Sequence, residues 1–156
     1  MAIYDCFQFF DEEHILDLRL NILHEYVDFF VLVESTIDHQ GKPKKLNFDY
    51  KKFKKFNKKI VYLVVDDATE VAKNPHIGGE SLAEQHQRNS LIRGLKNCSD
   101  NDLIILSDVD EIPDPNKLNS FDIKKINMPF FHRRCLIIKL ICSMKQKVTG
   151  MDQKYV

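Results

Sequence analysis

The sequence predicts an α/β domain built on a mostly parallel sheet with flanking helices. Three observations carry that prediction. Short apolar runs at 28–34, 60–65 and 103–106 alternate with segments of helical periodicity. Each run leads into acids: Glu34, Asp66-Asp67 and Asp108. Residues 103–106, Leu-Ile-Ile-Leu, contain no polar residue, as expected of a strand buried on both faces.

The elements follow in order. Residues 2–9 alternate loosely and read as a first strand. Asp11-Glu12-Glu13 opens a helix, with acids at its positive end. Ile15, Leu18, Ile22 and Tyr26 form its apolar stripe, joined by Leu16 and Leu23. Asp28 to Glu34 is a buried strand rich in β-branched and aromatic residues. A polar loop runs from Ser35 through Gly41-Lys42-Pro43. Phe53, Phe56 and Ile60 fall at helical spacing and predict a short amphipathic helix, with Lys51, Lys52, Lys54, Lys55, Lys58 and Lys59 mostly outward. Ile60 to Val65 is a third strand, and a loop with Pro75, Gly78 and Gly79 follows. Ser81-Leu-Ala-Glu84 has capping-box spacing and predicts a helix from about residue 82. Leu91, Ile92 and Leu95 would carry its apolar face. A turn over Asn97 to Asn101 precedes the strand at 103–106. Pro113 and Pro115 are expected to stop regular structure beyond it. After Phe121 the pattern weakens to one strand candidate, Cys135 to Cys142, and a polar end.

Composition excludes several function classes. The 156 residues fit one domain with a sizeable core. Net charge is zero, so global electrostatics points to neither nucleic acid nor membrane. Charge is nevertheless uneven: residues 42–59 hold nine lysines and one acid, Asp49, whereas residues 100–114 hold six acids and no base. The phenylalanines in the lysine run could stack bases. Their core spacing favours a solvated helix face, and no nucleic-acid partner is expected. No apolar run approaches the ~20 residues of a membrane span. The N-terminus lacks a basic n-region and a long apolar h-region, so no secretory signal is expected. Cys6, Cys98, Cys135 and Cys142 show no CxxC pair, and reduced thiols in a cytoplasmic setting are expected. The histidines form no HxxxH or HxH pattern; His86 and His132 read as surface or structural.

Asp108, Asp110 and Glu111 crowd the carboxyl end of a central strand, where open α/β sheets receive ligands. Like charges this close raise each other's pKa unless something neutralises them. A hard divalent cation does so with oxygen ligands and can bridge to phosphates. The pattern therefore points to a Mg²⁺ or Mn²⁺ site gripping a nucleotide diphosphate, against the plainer reading of a solvated acidic turn. A calcium loop fails: counted from Asp108, position six is Pro113 and position twelve is Asn119. The planar, permanent charge of Arg88 suits a diphosphate or the acidic cluster. Its alternative is a surface pair with Glu84 at i−4.

An ordered set of fragments resembles glycosyltransferase family 17, the β-1,4-mannosyl-glycoprotein β-1,4-N-acetylglucosaminyltransferases. The fragments are Tyr4-Asp-Cys-Phe, Phe10-Asp-Glu, Leu16, Arg19-Leu20, Val27 to Ser35, His39-Gln-Gly41-Lys42-Pro43, Leu46, Phe48, Lys59-Ile60-Val-Tyr62, Glu84, Gln87-Arg88-Asn89, Gly94-Leu95 and Asp102 to Pro113. The resemblance covers roughly residues 3–115. It implies a GT-A-like nucleotide-sugar-binding sheet, a UDP-GlcNAc donor, a mannose-type glycan acceptor and a divalent metal on the Asp-x-Asp element. Asp110 would coordinate the metal directly. Asp108 would touch the ribose or bind the metal through water. Glu111 would be an acid shaping the site or a capping surface charge. Together, Asp110 and Glu111 are the catalytic candidates, and Glu34, Ser35, Arg88 and Asp108 the donor-binding ones. Residues 1–120 are expected to be the donor-binding domain, and 121–156 a short, weakly matched extension of it, truncated relative to the family. The chain has no Trp, and residues 122–156 offer only Asp122 and Asp152 as carboxylates for a catalytic base. A remnant that binds UDP-sugar or a partner without turnover is therefore the alternative function. A phosphotransferase with an Asp nucleophile would need further Lys and acid motifs on later strands, for which little chain remains.

Overall fold

Five parallel strands form the central sheet of the computed structural model, which describes residues 1–68, 76–77, 80–119 and 136–138. In chain order the elements are β1 (Ile3–Gln8), α1 (Glu13–Leu23), β2 (Phe29–Ser35), a 3-10 turn (Lys54–Phe56), β3 (Ile60–Val65), the two-residue strands β4 (His76–Ile77) and β5 (Glu80–Ser81), α2 (Leu82–Asn89), a 3-10 turn (Ser90–Gly94), β6 (Leu103–Leu106), α3 (Pro115–Asn119) and β7 (Leu136–Ile138). The sheet order is β3-β2-β1-β6-β7, and β4 and β5 pair separately as an antiparallel ribbon. The predicted α/β class and parallel sheet are what the chain forms.

Alternation within the strands divides the core in two. Phe7, Phe30, Leu32, Leu103 and Ile105 face α1 and the Phe53–Phe56 segment. Cys6, Val31, Val33 and Ile104 face Ala83 and Leu91, on the α2 side. Helical structure thus covers both faces, as a sheet buried on both sides requires.

Several local expectations are corrected. In α1 the fully buried residues are Leu16, Arg19, Leu20 and Leu23, while Leu18 is half exposed and Ile15, Ile22 and Tyr26 are only partly covered. The helix is rotated from the purely apolar stripe because Arg19 points into the core and pairs there with Asp5. The lysine-rich helix is only a single 3-10 turn. Phe53 and Phe56 do anchor it, but Ile60 begins β3. α2 starts at Leu82 as predicted, yet Ser81 makes no capping bond; its hydroxyl donates to the His39 carbonyl at 2.7 Å. Ile92 is exposed, because α2 tightens into a 3-10 turn at Ser90 and shifts the buried face to Leu91. Pro115 opens α3 instead of stopping regular structure, since the first helical position needs no N–H. Of the predicted strand Cys135 to Cys142, Leu136–Ile138 is a strand. Its remainder, Cys135 and Cys142 included, lies outside the described residues, as do His132, Asp122, Asp152 and the polar end.

Gly94 shows why the 3-10 turn can lie against the sheet. A Cβ there would sit 2.4 Å from Val31 Cγ1 and 3.2 Å from Leu63 Cδ1. Gly94→Ala is therefore expected to cost about 1–3 kcal/mol by overpacking, read as a lowered urea midpoint. An unchanged midpoint would mean the turn lifts away without cost.

Candidate active site

The order β3-β2-β1-β6-β7 reverses chain direction across the sheet between β1 and β6. The β1-to-β2 connection crosses on the α1 face, and the β3-to-β6 connection crosses on the α2 face. Such a switch point leaves a crevice at the carboxyl ends of the two central strands. A cleft lies there, lined by Gln8, Arg88, Leu91, Leu106, Ser107 and Asp108.

The Asp-x-Asp turn follows β6 directly. Ser107 N–H extends the ladder to the Cys6 carbonyl at 3.2 Å, and the chain then folds over. Glu111 N–H donates to the Asp108 carbonyl and Ile112 N–H to the Asp110 carbonyl, both at 3.0 Å. Asp108 and Asp110 are exposed, while Val109 between them is buried. Glu111 is turned back on the turn, its Oε2 accepting from the Asp108 N–H at 3.2 Å.

Arg19 holds this turn from beneath. Its Nη1 donates to the carbonyls of Asp108 (2.8 Å), Val109 (3.0 Å) and Glu111 (3.1 Å). Nε and Nη2 form a two-point bridge to the Asp5 carboxylate at 2.8 and 2.7 Å. Nη2 also reaches Ser107 Oγ at 2.6 Å, and the guanidinium lies over the Phe7 ring. Arg19 and Asp5 are both completely buried. Neither stood among the candidate residues. The signal was a lone arginine on an otherwise apolar helix face and a lone acid inside an apolar strand. Each would be costly alone, so they had to be paired.

Arg88 spans the cleft from α2. Its Nη2 lies 3.1 Å from Glu84 Oε1 and 3.4 Å from Asp108 Oδ1. Arg88 thus pairs with Glu84 at i−4 and also reaches the Asp108 carboxylate of the acidic turn. In the orientation its surroundings dictate, the Gln8 amide oxygen accepts from Arg88 Nε at 3.1 Å and Nη2 at 3.3 Å, and its NH₂ donates to the Glu84 carbonyl at 3.1 Å. Gln87 fixes α2 over the strand ends by donating to the carbonyls of Val33 (3.0 Å) and Phe9 (3.3 Å).

Glu34 and Ser35 end β2 as predicted, but Glu34 is fully buried and occupied. Its carboxylate accepts from Lys44 Nζ (2.6 Å), the N–H groups of Asn47 (2.7 Å) and Phe48 (3.1 Å), and the Tyr62 hydroxyl (2.9 Å). Burial, and then this bond to Glu34, push the Tyr62 hydroxyl's pKa well up. Ser35 Oγ accepts from the Ile37 N–H at 3.2 Å. Both side chains thus organise the 36–48 segment and lie apart from the cleft lining. At the end of β3, Asp67 is bridged by Arg93 and bonded by His86, which hold its carboxyl far below the usual range. Its charge is already matched.

Among the described residues no three His, Cys, Asp or Glu side chains converge on one point. The protein alone offers a cation the exposed carboxylates of Asp108 and Asp110. That donor set suits a hard cation of the Mg²⁺ type, which takes one or two carboxylates and completes its shell with waters and substrate phosphates. It does not suit a cation caged by protein alone.

A doubly wound parallel sheet receives its ligands in the crevice at its switch point, where the acidic turn and Arg88 lie. A family model, Glycosyltransferase family 17, matches residues 1–132, most of the chain and some way beyond the ordered fragments seen in the sequence. The chain belongs to that family. It is a glycosyltransferase, with a nucleotide-sugar donor and a glycan acceptor in general terms. No curated protein and no solved structure matches it. No helix among the described residues is long and apolar enough to cross a membrane.

Proposed function

We propose that the chain transfers N-acetylglucosamine from UDP-GlcNAc to a mannose-type glycan, with Mn²⁺ or Mg²⁺ bound by Asp110 and, directly or through water, by Asp108. The observation that carries this reading is the pair of exposed carboxylates beside the switch-point cleft. Asp108, Asp110, Glu111 and Glu84 make the region acidic, and Arg88 is the positive side chain in the cleft lining. A diphosphate entering there needs further positive charge. A bound divalent cation would supply it and offset charge developing on the departing UDP.

The remaining work falls to the chain's own residues. Arg88 is held loosely by Asp108, at 3.4 Å, so a phosphate can draw it away without leaving a buried charge unpaired. The Gln8 amide orients the guanidinium plane. Leu91 and Leu106 give the cleft an apolar wall that limits water around the reacting groups. Glu111 braces the turn from above through the Asp108 N–H. Glu34 and Ser35 would act on the donor indirectly, through the loop they hold.

The direct test is release of UDP from UDP-GlcNAc with Mn²⁺, with and without a mannose-terminated glycan. Acceptor-dependent release is expected. Release from another UDP-sugar in preference would reject the donor assignment. A reducing, cytoplasmic setting belongs to the same proposal, supported by the absence of any Cys pairing pattern. Alkylation-protected, denatured protein should count four thiols; two or none would reject that setting.

A further inference from the structure

We propose that Arg19 is a positioning residue for the reaction: it sets the conformation of the Asp-x-Asp turn and so the aim of Asp108 and Asp110. This rests on the reading of that turn as the grip on cation and diphosphate.

A carboxylate pair can share a cation only if the backbone between them holds a fixed turn. Within residues 108–112, two backbone bonds close the turn on its own, Glu111 N–H to Asp108 and Ile112 N–H to Asp110. The carbonyls of Asp108, Val109 and Glu111 all turn inward to one nitrogen, Arg19 Nη1. With those three carbonyls and the Val109 side chain pointing in, the side chains of Asp108 and Asp110 are left pointing out. Arg19 is itself held on its other edges. Asp5, on the central strand, takes its other edge in two bonds, Ser107 Oγ takes Nη2, and Phe7 lies against its face. The turn is therefore indexed to β1 through one planar group.

Lysine cannot replace it. An ammonium keeps the charge beside Asp5 but is a single point with three donors. It cannot hold the carboxylate on two points and three carbonyls on another edge. Arg19→Lys therefore separates a merely stabilising ion pair from a positioning device. Two readouts apply to the folded variant. Amide hydrogen exchange at Glu111 and Ile112 should quicken by about tenfold or more relative to β2 amides, the change expected when a charge-assisted hydrogen bond is lost. The Mn²⁺ concentration that half-saturates UDP binding should rise by a similar factor. Wild-type protection of the turn, or an unchanged Mn²⁺ requirement in the folded variant, overturns the proposal. If Arg19→Lys does not fold, Ser107→Ala carries the test. It removes one acceptor from the clamp and should raise exchange at the same two amides by roughly threefold, a fraction of the Arg19 effect; no change there overturns the proposal too. If wild-type protein binds UDP without metal, the reading of the turn fails in the wild type itself. The exchange experiment still decides whether Arg19 sets its shape.

Discussion

Asp110→Ala is expected to lower acceptor-dependent UDP release by on the order of 10²- to 10³-fold, the scale of losing one electrostatic contact to developing charge. The fold should be untouched. Asp110 is exposed, and its side chain supports no hydrogen bond of the turn; the bond to Ile112 uses its backbone carbonyl. The urea midpoint should therefore stay within about 0.5 kcal/mol of wild type. Asp108→Ala should behave differently. It also frees Arg88 from one of its two carboxylates, so it should weaken metal dependence while leaving more positive charge for the diphosphate. A variant lacking Asp110 that keeps full activity and the same Mn²⁺ requirement would remove this residue from the site.

Glu34→Ala should produce a large loss of stability, about 3–5 kcal/mol. The change leaves a mostly buried ammonium, two backbone N–H groups and a hydroxyl without their common acceptor. Denaturant melts at pH 7 measure it directly. Because Glu34 is saturated by protein groups, UDP affinity of the surviving folded fraction should change little. A large drop in affinity with normal stability would instead put Glu34 in contact with the donor. Glu34→Gln should fall between: it keeps one acceptor oxygen but loses the charge that matches Lys44.

Strand placement was legible because buried parallel strands leave an unmistakable trace. Ile60 to Val65 and Leu103 to Leu106 stand where the uninterrupted apolar runs predicted them. The acidic turn after β6 was equally visible, since Asp108, Asp110 and Glu111 follow the apolar run directly in sequence. Less legible were features governed by polar groups inside the core. A rule that places charged residues outside turns α1 to the wrong face, and only the partnership of Asp5 and Arg19 turns it back. The same blindness hid the role of Gln87, to which the sequence pattern assigns no structural role but which seals two strand-end carbonyls. Capping failed for a related reason: Ser81 had the right spacing, but the His39 carbonyl claimed its hydroxyl. In the lysine run, periodicity identified the buried rings but could not distinguish a helix from a turn, because two anchors three residues apart satisfy both. Glu34 was singled out as a donor-binding candidate, but in the structure protein groups take up its carboxylate. Its burial explains why: an acid at the end of an apolar strand must find enough donors, and residues 44–48 and Tyr62 provide them.

The central claim is that the turn after β6 grips a nucleotide diphosphate through a divalent cation. Calorimetric titration of wild-type protein with UDP, once in Mn²⁺ and once in EDTA, tests it most directly. A clear binding heat is expected with Mn²⁺ and little or none in EDTA. Equal affinity in the two buffers would contradict it.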